Sequence, residues 1–273
     1  MPELPEVETL KRSLAPHLLG AVITEARFSR RDLLEVCPGE DPNHFTVGSK
    51  ITGLDRRGKY LLVELDHRRG WAVHFGMSGT MIHYPEAPGL VDQHTHVVWD
   101  LRGRGQVCYR APRRFGRWIM APSGGVSGVL DDRVGVDALD PSLDGDRFGA
   151  LLGQSRSPIK SRLLNQRLVS GLGNIYADEA LFDAGVDPAR RASTLEGRWE
   201  DLLRSVRGVL TEAIRHRGTT FSAYRDGQGC EGGNRQHLSV YGRAGQACPR
   251  CSALIERSVL GGRGTHCCPS CQN

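Results

Sequence analysis

A chain of 273 residues with a formal net charge of +5 is long enough for about two domains with real apolar cores. No apolar run approaches the roughly 18 residues of a membrane span, and the N-terminus lacks the basic and apolar regions of a targeting signal. Residues 1–150 hold 19 Lys and Arg against 20 Asp and Glu, whereas residues 151–273 hold 17 against 11. The composition argues against a membrane-spanning protein and favours a polyanionic partner for the C-terminal half.

The first stretch, residues 1–8, has two interpretations. In one it is only the start of a helix, because Pro5 suits a first helical turn and Glu6 suits its positive end. In the other, removal of the initiator Met leaves Pro2 as an N-terminal secondary amine. Such an amine is partly unprotonated at neutral pH and can attack an electrophilic carbon. Glu3 would then hand over or take up protons, but the spacing alone does not decide between the two interpretations.

The periodicity of the chain predicts a helix, then a β-rich domain, then a helical domain. Val7–Leu19 has apolar residues at helical spacing and is closed by Gly20. Short alternating runs separated by Gly-rich turns then indicate an antiparallel sandwich or barrel. The predicted strands are Val22–Phe28, Lys50–Leu54, Tyr60–Leu65, Trp71–Phe75, Thr95–Leu101 and Gln106–Tyr109. The predicted later helices are Arg147–Leu152, Ile159–Asn165, Ile175–Ala184 and Leu195–Arg217.

The cysteines fall into a scattered group and a paired group. Four are scattered along the chain and are interpreted as small, half-buried thiols: Cys37, Cys108, Cys230 and Cys267. The other four form two CxxC pairs separated by 16 residues: Cys248, Cys251, Cys268 and Cys271. This spacing predicts one structural Zn²⁺ held by four thiolates, with a hairpin between the pairs. Cys267 could compete with its neighbour as a ligand, but the CxxC spacing favours Cys268.

A glycine-rich connection in the helical part can bind an anion. Ile159–Asn165 leads into Gly171–Tyr176, where the glycines interrupt the helical period and Asn174 can cap the next helix. Outward-pointing amides at such a terminus suit a phosphate. Glycine-rich helix connections are common, so this feature by itself is weak evidence for nucleic-acid binding.

Several short motifs, taken in order, resemble one family. They are Pro2-Glu3-Leu4-Pro5-Glu6-Val7-Glu8, Lys59-Tyr60-Leu61-Leu62, His74-Phe75-Gly76-Met77-Ser78-Gly79, Pro112-Arg113-Arg114-Phe115-Gly116, Gly173-Asn174-Ile175-Tyr176-Ala177-Asp178-Glu179, Val240-Tyr241-Gly242-Arg243 and the four-cysteine tail. The series resembles the bacterial formamidopyrimidine-DNA glycosylases, within the formamidopyrimidine-DNA glycosylase/endonuclease VIII family, nearly end to end. The dipeptide Leu4-Pro5 favours this branch of the family over endonuclease VIII.

The resemblance implies an α+β fold. Its parts are an N-terminal antiparallel β-sandwich with an N-terminal helix, a helix–two-turn–helix domain and a zinc-finger β-hairpin. The implied boundaries are residues 1–121 for the catalytic sandwich, 122–134 for a linker, 135–235 for the helical DNA-binding domain and 236–273 for the zinc finger. The implied partner is double-stranded DNA with a damaged base or abasic site. We expect a monomer in the bacterial cytoplasm, associated with the nucleoid and not with membranes.

The resemblance also implies roles for individual residues. Pro2 corresponds to the nucleophile that forms a Schiff base, and Glu3 to the acid and base. The family flips the damaged base out of the duplex and cleaves the strand on both sides of the lost nucleoside. Phosphate contacts fall on Lys59, Lys160, Asn174 and Arg263, of which Lys59 and Arg263 are also assigned to catalysis. Gap-filling residues fall on Met77, Arg113 and Phe115. Further DNA contacts are expected at His74 and His96.

Some positions depart from the family pattern. Ala111 stands where an aspartate usually precedes the Pro112 motif, so Arg113 loses one orienting partner. Val136–Ala138 replaces the usual Pro-Glu-Pro. The segment 227–235 is unusually rich in glycine, which should raise the cost of ordering the loop that closes over the flipped base. On this reasoning we expect normal abasic cleavage and slower excision of 8-oxoguanine than of ring-opened purines.

Two alternatives remain open at the level of sequence. The chain could be a catalytically weak or silent binder of damaged DNA, although the presence of Pro2, Glu3 and Lys59 argues against this. It could also act, like endonuclease VIII, on oxidised pyrimidines. If Lys160 holds a phosphate, its replacement by alanine should weaken binding to all duplexes alike and lower the salt slope by about one.

Overall fold

The structure, a computed structural model, describes residues 1–88 and 92–273. Its contacts divide the chain into two compact units, Met1–Asp132 with His216–Arg235, and Arg133–Arg215 with Gln236–Asn273. The segment His216–Arg235 follows the last long helix and yet belongs to the first unit, because its backbone is hydrogen-bonded to the N-terminal helix and to a sandwich strand. The domain boundaries expected from the sequence stay a prediction.

The N-terminal helix α1 (Leu4–Leu18) forms because its apolar residues recur at helical spacing. Leu4, Val7, Leu10, Leu14 and Leu18 are all fully buried, and α1 packs against strands of both sheets of the first unit. After the helix, Gly20 adopts a φ of 78°, a left-handed conformation that glycine reaches without steric cost. The predicted first helix and its glycine stop are confirmed.

The first unit contains two β-sheets and a short helix, α2 (Pro42–Thr46). Its strands are β1 (Ile23–Phe28), β2 (Leu34–Glu35), β3 (Ile51–Arg57), β4 (Tyr60–Leu65), β5 (Arg69–His74), β6 (Thr80–Tyr84), β7 (Thr95–Leu101), β8 (Gly105–Arg110) and β9 (Arg117–Ala121). One sheet has the order β1-β7-β8-β6 and the other β2-β9-β5-β4-β3. All neighbours are antiparallel except β2 and β9.

Aromatic side chains fill the space between the two sheets. Trp99 on β7 meets Trp118 on β9 edge-to-face with ring centroids 5.3 Å apart, and Tyr109 on β8 meets the same ring at 5.4 Å. Such packing of two inner faces defines a β-sandwich. The predicted sandwich is therefore confirmed. The sequence missed the two-residue strand β2 and the longer strands β6 and β9. Neither of the longer runs has a clear apolar–polar alternation: four of the five β9 residues are buried.

The second unit is helical and ends in a hairpin. Its helices are α3 (Gly145–Leu152), α4 (Ile159–Leu163), α5 (Asn174–Asp183) and α6 (Trp199–Arg215), and its strands are β10 (Val136–Asp137), β11 (Val169–Ser170), β12 (Glu256–Leu260) and β13 (Arg263–Cys267). The four predicted helices are thus present with small shifts at their ends. Strands β12 and β13 pair antiparallel, which confirms the predicted hairpin and the α+β class. Across residues 1–88 and 92–273, no helix combines the length and apolarity that crossing a membrane requires.

Candidate active site and zinc cluster

The N-terminal residues of the chain are held in place by the start of α1. Glu3 is the residue before the helix, and its backbone N–H donates to the carboxylate of Glu6 at 2.7 Å. Pro2 and Glu3 are buried, whereas Met1 is about half exposed. The two candidate catalytic residues therefore occupy fixed positions, and Met1 lies at the surface where its removal would free the amine of Pro2.

Glu6 is a site residue whose connecting role the sequence reasoning missed. Its buried carboxylate also accepts the backbone N–H of Thr219 at 2.8 Å, and the hydroxyl of Tyr224 donates to its backbone carbonyl. One carboxylate thus ties the residue beside Pro2 to the base of the segment His216–Arg235. The signal was present in the sequence, since an acidic residue three positions after a helix cap is the spacing of a capping box.

Lys59 lies in the tight turn between β3 and β4. Arg57 pairs with Tyr60 across the hairpin, and Gly58, with a φ of 56°, occupies the first of the two turn positions, as in a type II′ turn. Lys59 itself is buried. Its position in a two-residue turn means that the backbone of the hairpin decides where the ammonium can reach.

His74, at the end of β5, is neutral at physiological pH. Burial, with the nearby charges of Lys59 and Arg117, lowers the pKa of His74 to about 4. The N–H of Gly76 donates to its Nδ1 at 3.2 Å, so the proton of the neutral ring is on Nε2. His74 can therefore offer a DNA oxygen a neutral N–H donor, not a positive charge.

The depressed pKa of His74 predicts a loss of stability in acid. Between its ordinary value of 6.5 and about 4, the unfolded chain binds a proton that the folded chain does not. Stability is therefore fully present above that window and falls as the pH falls through it. At about pH 4.5 the loss amounts to about 2.5 kcal/mol. Urea unfolding at about pH 7.5 and 4.5 should show this extra loss in the parent protein and not in His74→Gln; equal losses in both would contradict the assignment.

His96, on β7, supports the turn that carries Arg113. Its buried ring donates from Nε2 to the carbonyl of Ala111 at 3.2 Å, and the N–H of Arg114 donates to the same carbonyl. Where the family has an aspartate, this chain therefore holds the turn through backbone groups of Ala111. The guanidinium of Arg113 lies 4.9 Å from the ring centroid of Phe115, which gives it an orienting partner.

Met77 and Phe115 are exposed on neighbouring turns of the sandwich. They expose 43% and 53% of their surface, so core packing does not explain them. The two turns touch at Gly76, where a Cβ would lie 2.4 Å from the backbone carbon of Phe115. Glycine at this position therefore allows the turns to approach each other. A flexible apolar chain, a guanidinium and an aromatic ring are thus presented together to solvent.

The glycine-rich part of the segment after α6 is fixed by protein contacts. Gly227 receives a hydrogen bond at its carbonyl from the N–H of His83, and its own N–H donates to the hydroxyl of Ser13. Buried Asp226 accepts the N–H groups of Gln228 and Cys230 and pairs with Arg217. The expected ordering cost is therefore already met when the protein folds. Slower excision of 8-oxoguanine than of ring-opened purines stays a prediction. The reason given for it, the cost of ordering a glycine-rich loop, does not hold.

Gly232 and Gly233 provide a matched pair of substitutions in this segment. A Cβ on Gly232 would lie 2.2 Å from the carbonyl oxygen of Gly218, whereas one on Gly233 would have only an ordinary contact at 3.6 Å. Gly232→Ala should therefore displace the backbone next to Thr219. For the activity that the resemblance implies, it should slow the excision of ring-opened purines and 8-oxoguanine alike. Abasic sites offer no base to grip, so their cleavage should be unchanged. Single-turnover rates on three matched duplexes test this; equal effects of Gly232→Ala and Gly233→Ala would contradict it.

Lys160 is the most buried charged residue of the second unit among those described, apart from its partner Asp178. It is 1% exposed, and its ammonium contacts Asp178 at 2.7 Å, the carbonyl of Gly264 at 2.9 Å and the hydroxyl of Thr265 at 2.9 Å. Asp178 in turn accepts the N–H of His266 at 2.9 Å. The ammonium thus pairs with the charge of Asp178 and donates hydrogen bonds to Gly264 and Thr265, and Lys160 connects α4, α5 and β13.

Asn174 and Arg263 belong to the same region of the second unit. The expectation that Asn174 caps α5 is wrong: it is the first residue of the helix, and its side-chain amide donates to the carbonyl of Gly264 at 2.9 Å. Arg263 is exposed and follows Gly261 and Gly262, whose φ values of 55° and 75° fit a type I′ hairpin turn. The hairpin tip therefore presents Arg263 to solvent.

The four paired cysteines form one cluster. Cys248, Cys251, Cys268 and Cys271 bring their sulfur atoms within 4.8 Å of one another, with two pairs at 3.4 and 3.9 Å. Four thiolates around one zinc at Zn–S distances of about 2.3 Å require sulfur separations of about 3.8 Å, so the donor set fits. The predicted single structural zinc is confirmed. Cys267 is half-buried and stands outside the cluster, as the CxxC spacing favoured.

Comparisons with known proteins cover nearly the whole chain. Three family models match: formamidopyrimidine-DNA glycosylase N-terminal domain at residues 1–118, formamidopyrimidine-DNA glycosylase H2TH domain at 134–225, and the zinc finger found in FPG and IleRS at 245–273. The formamidopyrimidine-DNA glycosylase of Moorella thermoacetica is 45% identical over 261 residues, 94% of each chain. A Lactococcus lactis FPG mutant in complex with Fapy-dG DNA is similar with a TM-score of 0.90 and 32% identity, covering 100% of both chains. The Lactococcus lactis Fpg bound to abasic-site DNA is equally similar, with a TM-score of 0.90, 32% identity and 100% of both chains covered. Because the matches run from the N-terminal helix through the zinc cluster, this chain belongs to the formamidopyrimidine-DNA glycosylase family.

Proposed function

We propose that this protein is a bifunctional DNA glycosylase of base-excision repair. It removes oxidised purines, formamidopyrimidines and 8-oxoguanine, from double-stranded DNA and cleaves the abasic strand by β,δ-elimination. The observation that carries the proposal is the fixed position of Pro2 and Glu3 at the start of α1, in a chain similar throughout to DNA-bound Fpg proteins. The DNA is the partner, and the chain acts as a monomer associated with the nucleoid.

The proposed chemistry begins after Met1 is removed. The amine of Pro2 forms a bond to C1′ of the damaged nucleoside while the glycosidic bond breaks and the base leaves with a proton supplied by Glu3. The amine then loses its proton, and the C1′–O4′ bond opens with a proton passing to O4′, which gives an iminium between Pro2 and C1′. The resulting iminium makes the C2′ proton acidic. Its removal expels the 3′ phosphate, a second elimination expels the 5′ phosphate, and hydrolysis of the iminium returns the amine. The first step requires a nucleophile, and the proton transfers of all the steps require a proton carrier; the adjacent residues Pro2 and Glu3 supply these two groups.

The remaining site residues bind and shape the DNA in this proposal. In the first unit, Lys59 contacts a phosphate near the reacting sugar and assists catalysis, while His74 donates a neutral hydrogen bond. Met77, Arg113 and Phe115 fill the gap that the flipped base leaves, for which their exposure and their shared turns suit them. His96 acts from beneath this surface, through the carbonyl of Ala111.

In the second unit, Lys160, Asn174 and Arg263 are proposed to form the phosphate-binding surface. Lys160 and Asn174 both donate hydrogen bonds to the carbonyl of Gly264, which is the residue after Arg263. The four cysteine thiolates hold the zinc, which supplies structural cross-linking and leaves no position for a reacting group. The zinc therefore acts only by fixing the hairpin that presents Arg263.

Borohydride trapping separates this function from that of a silent binder of damaged DNA. Borohydride reduces the iminium to a stable amine, so abasic duplex DNA should become covalently attached through Pro2. N-terminal sequencing comes first, to identify preparations from which Met1 has been removed. Protein that retains Met1 has no proline amine and is the matched control. Binding without any adduct, in protein shown to start at Pro2, would reject the glycosylase in favour of the binder.

A further inference from the structure

A buried ion pair connects α1 to the turn that carries Lys59. One oxygen of the Glu8 carboxylate lies 3.2 Å from Nε of Arg56, and both side chains are less than 10% exposed. The same guanidinium donates from Nη1 to the carbonyl of Gly58 at 3.1 Å. The guanidinium of Arg56 thus contacts the helix through Glu8 and the turn through Gly58, the residue before Lys59.

The two ends of this connection both belong to the proposed chemistry. Glu8 lies in the second turn of the helix whose first residues follow Pro2 and Glu3, and α1 packs directly against β3 and β4. Gly58 and Lys59 are the two turn residues between those strands. Because the turn has only two residues, fixing the carbonyl of Gly58 also fixes the backbone from which the Lys59 side chain extends.

We propose that Arg56, held by Glu8, is a positioning residue for Lys59. It sets the distance between the Lys59 ammonium and the Pro2–Glu3 end of the same unit, without itself touching DNA. The inference rests on the proposed function, because it concerns the arrangement of groups in that reaction. Arginine suits the task, since its planar fork can donate in two directions at once, whereas a lysine ammonium is a single point charge on a flexible chain.

The surroundings of the pair favour this role over a general structural one. Glu8 also meets Lys11 at 3.1 Å and the exposed Arg12 at 2.8 Å, and these cations lower its pKa despite burial, so the carboxylate is charged. Lys11 reaches on to Asp55 at 3.6 Å. The Glu8 carboxylate therefore stays compensated when Arg56 is changed. What such a change removes is the hydrogen bond from the guanidinium to the Lys59 turn.

The test is a double-mutant cycle on single-turnover excision rates. Arg56→Lys keeps the positive charge but cannot donate to Glu8 and to the carbonyl of Gly58 in the same geometry. Lys59→Met removes the ammonium that Arg56 is proposed to position. Arg12→Lys is the control, because it makes the same substitution at the exposed partner of Glu8. We expect Arg56→Lys to slow the excision of a ring-opened purine about tenfold or more when Lys59 is present. In the Lys59→Met background the same change should cost less than about twofold, since Arg56 then has nothing to position. Arg12→Lys should leave the rate unchanged.

The outcomes distinguish the inference from the function on which it rests. Equal rate losses from Arg56→Lys in both backgrounds would show a general structural effect and overturn the inference, as would no loss in either. If Arg56→Lys fails to fold, as judged by thermal unfolding, Glu8→Gln takes its place in the same cycle with the same expected pattern. A parent protein without any excision or adduct would reject the proposed function instead, and that result is read from the parent alone.

Discussion

Cys251→Ser is expected to release the zinc and loosen the chain from about residue 236 onward. A structural zinc contributes roughly 10–16 kcal/mol of binding free energy in small finger domains, far more than a hairpin of this size can replace. The cluster supports its surroundings directly: Cys248 and Cys268 are buried with Phe182 and Val240 in one apolar group. Without the metal, the hairpin that presents Arg263 has no fixed tip, and binding to abasic DNA should be lost.

Cys267→Ser is the matched control, because its sulfur is next in sequence to a ligand but outside the cluster. Zinc content, hydrogen exchange of β12 and β13, and abasic cleavage should be normal in Cys267→Ser. All three should be disturbed together in Cys251→Ser, while the β-sandwich keeps its exchange protection in both variants. If Cys251→Ser cleaves abasic DNA at the normal rate, the hairpin is dispensable and its assigned role is wrong.

The second largest of the predicted effects is the loss of stability and of DNA binding in Lys160→Met. The substitution leaves the carboxylate of Asp178 buried without its cation, a change that costs about 3–5 kcal/mol. It also removes the hydrogen bonds to Gly264 and Thr265 that attach β13 to the helices. We expect lower stability of the second unit in urea unfolding and weaker binding to all duplexes alike, damaged or not.

Lys50→Met, which removes an exposed lysine of the first unit, is the control for loss of charge alone. Salt titration adds a second measurement for Lys160. In the structure its ammonium is paired with Asp178 and hydrogen-bonded to Gly264 and Thr265, so the expected decrease of about one in the salt slope requires DNA to draw the ammonium away from Asp178. Unchanged stability in Lys160→Met would contradict the buried role that the hydrogen bonds assign to it.

The sequence was sufficient wherever a property depends on neighbouring residues. Helical spacing from Val7 to Leu18 predicted the buried face of α1, and alternation predicted most sandwich strands. The two CxxC pairs predicted the zinc ligands, because metal geometry restricts which spacings can work. Strand β9 was missed for the converse reason: Trp118 packs against Trp99 of the other sheet, and β9 also contacts the segment Val126–Leu130, so four of its five residues are buried and no alternating signal remains.

The sequence could not show which charged side chains are satisfied within the protein. Lys160 and Arg263 looked alike as cations at family positions, yet the first is buried against Asp178 and the second is exposed on a hairpin tip. Asn174 looked like a helix cap and instead holds Gly264. Each of these interactions joins residues about 20 to 100 positions apart, a separation at which no periodic pattern carries information.

By itself the sequence determined the family, the helices and most of the longer strands, the zinc ligands and the identity of the candidate nucleophile, since these depend on residue type and local spacing. Only the tertiary structure decided that Glu6 ties Glu3 to Thr219, that Arg56 ties Glu8 to the Lys59 turn, and that the glycine-rich segment is ordered by Ser13, His83 and Asp226. The physical reason is that a buried polar group must find a partner in three dimensions. Which partner it finds depends on the packing of the whole unit.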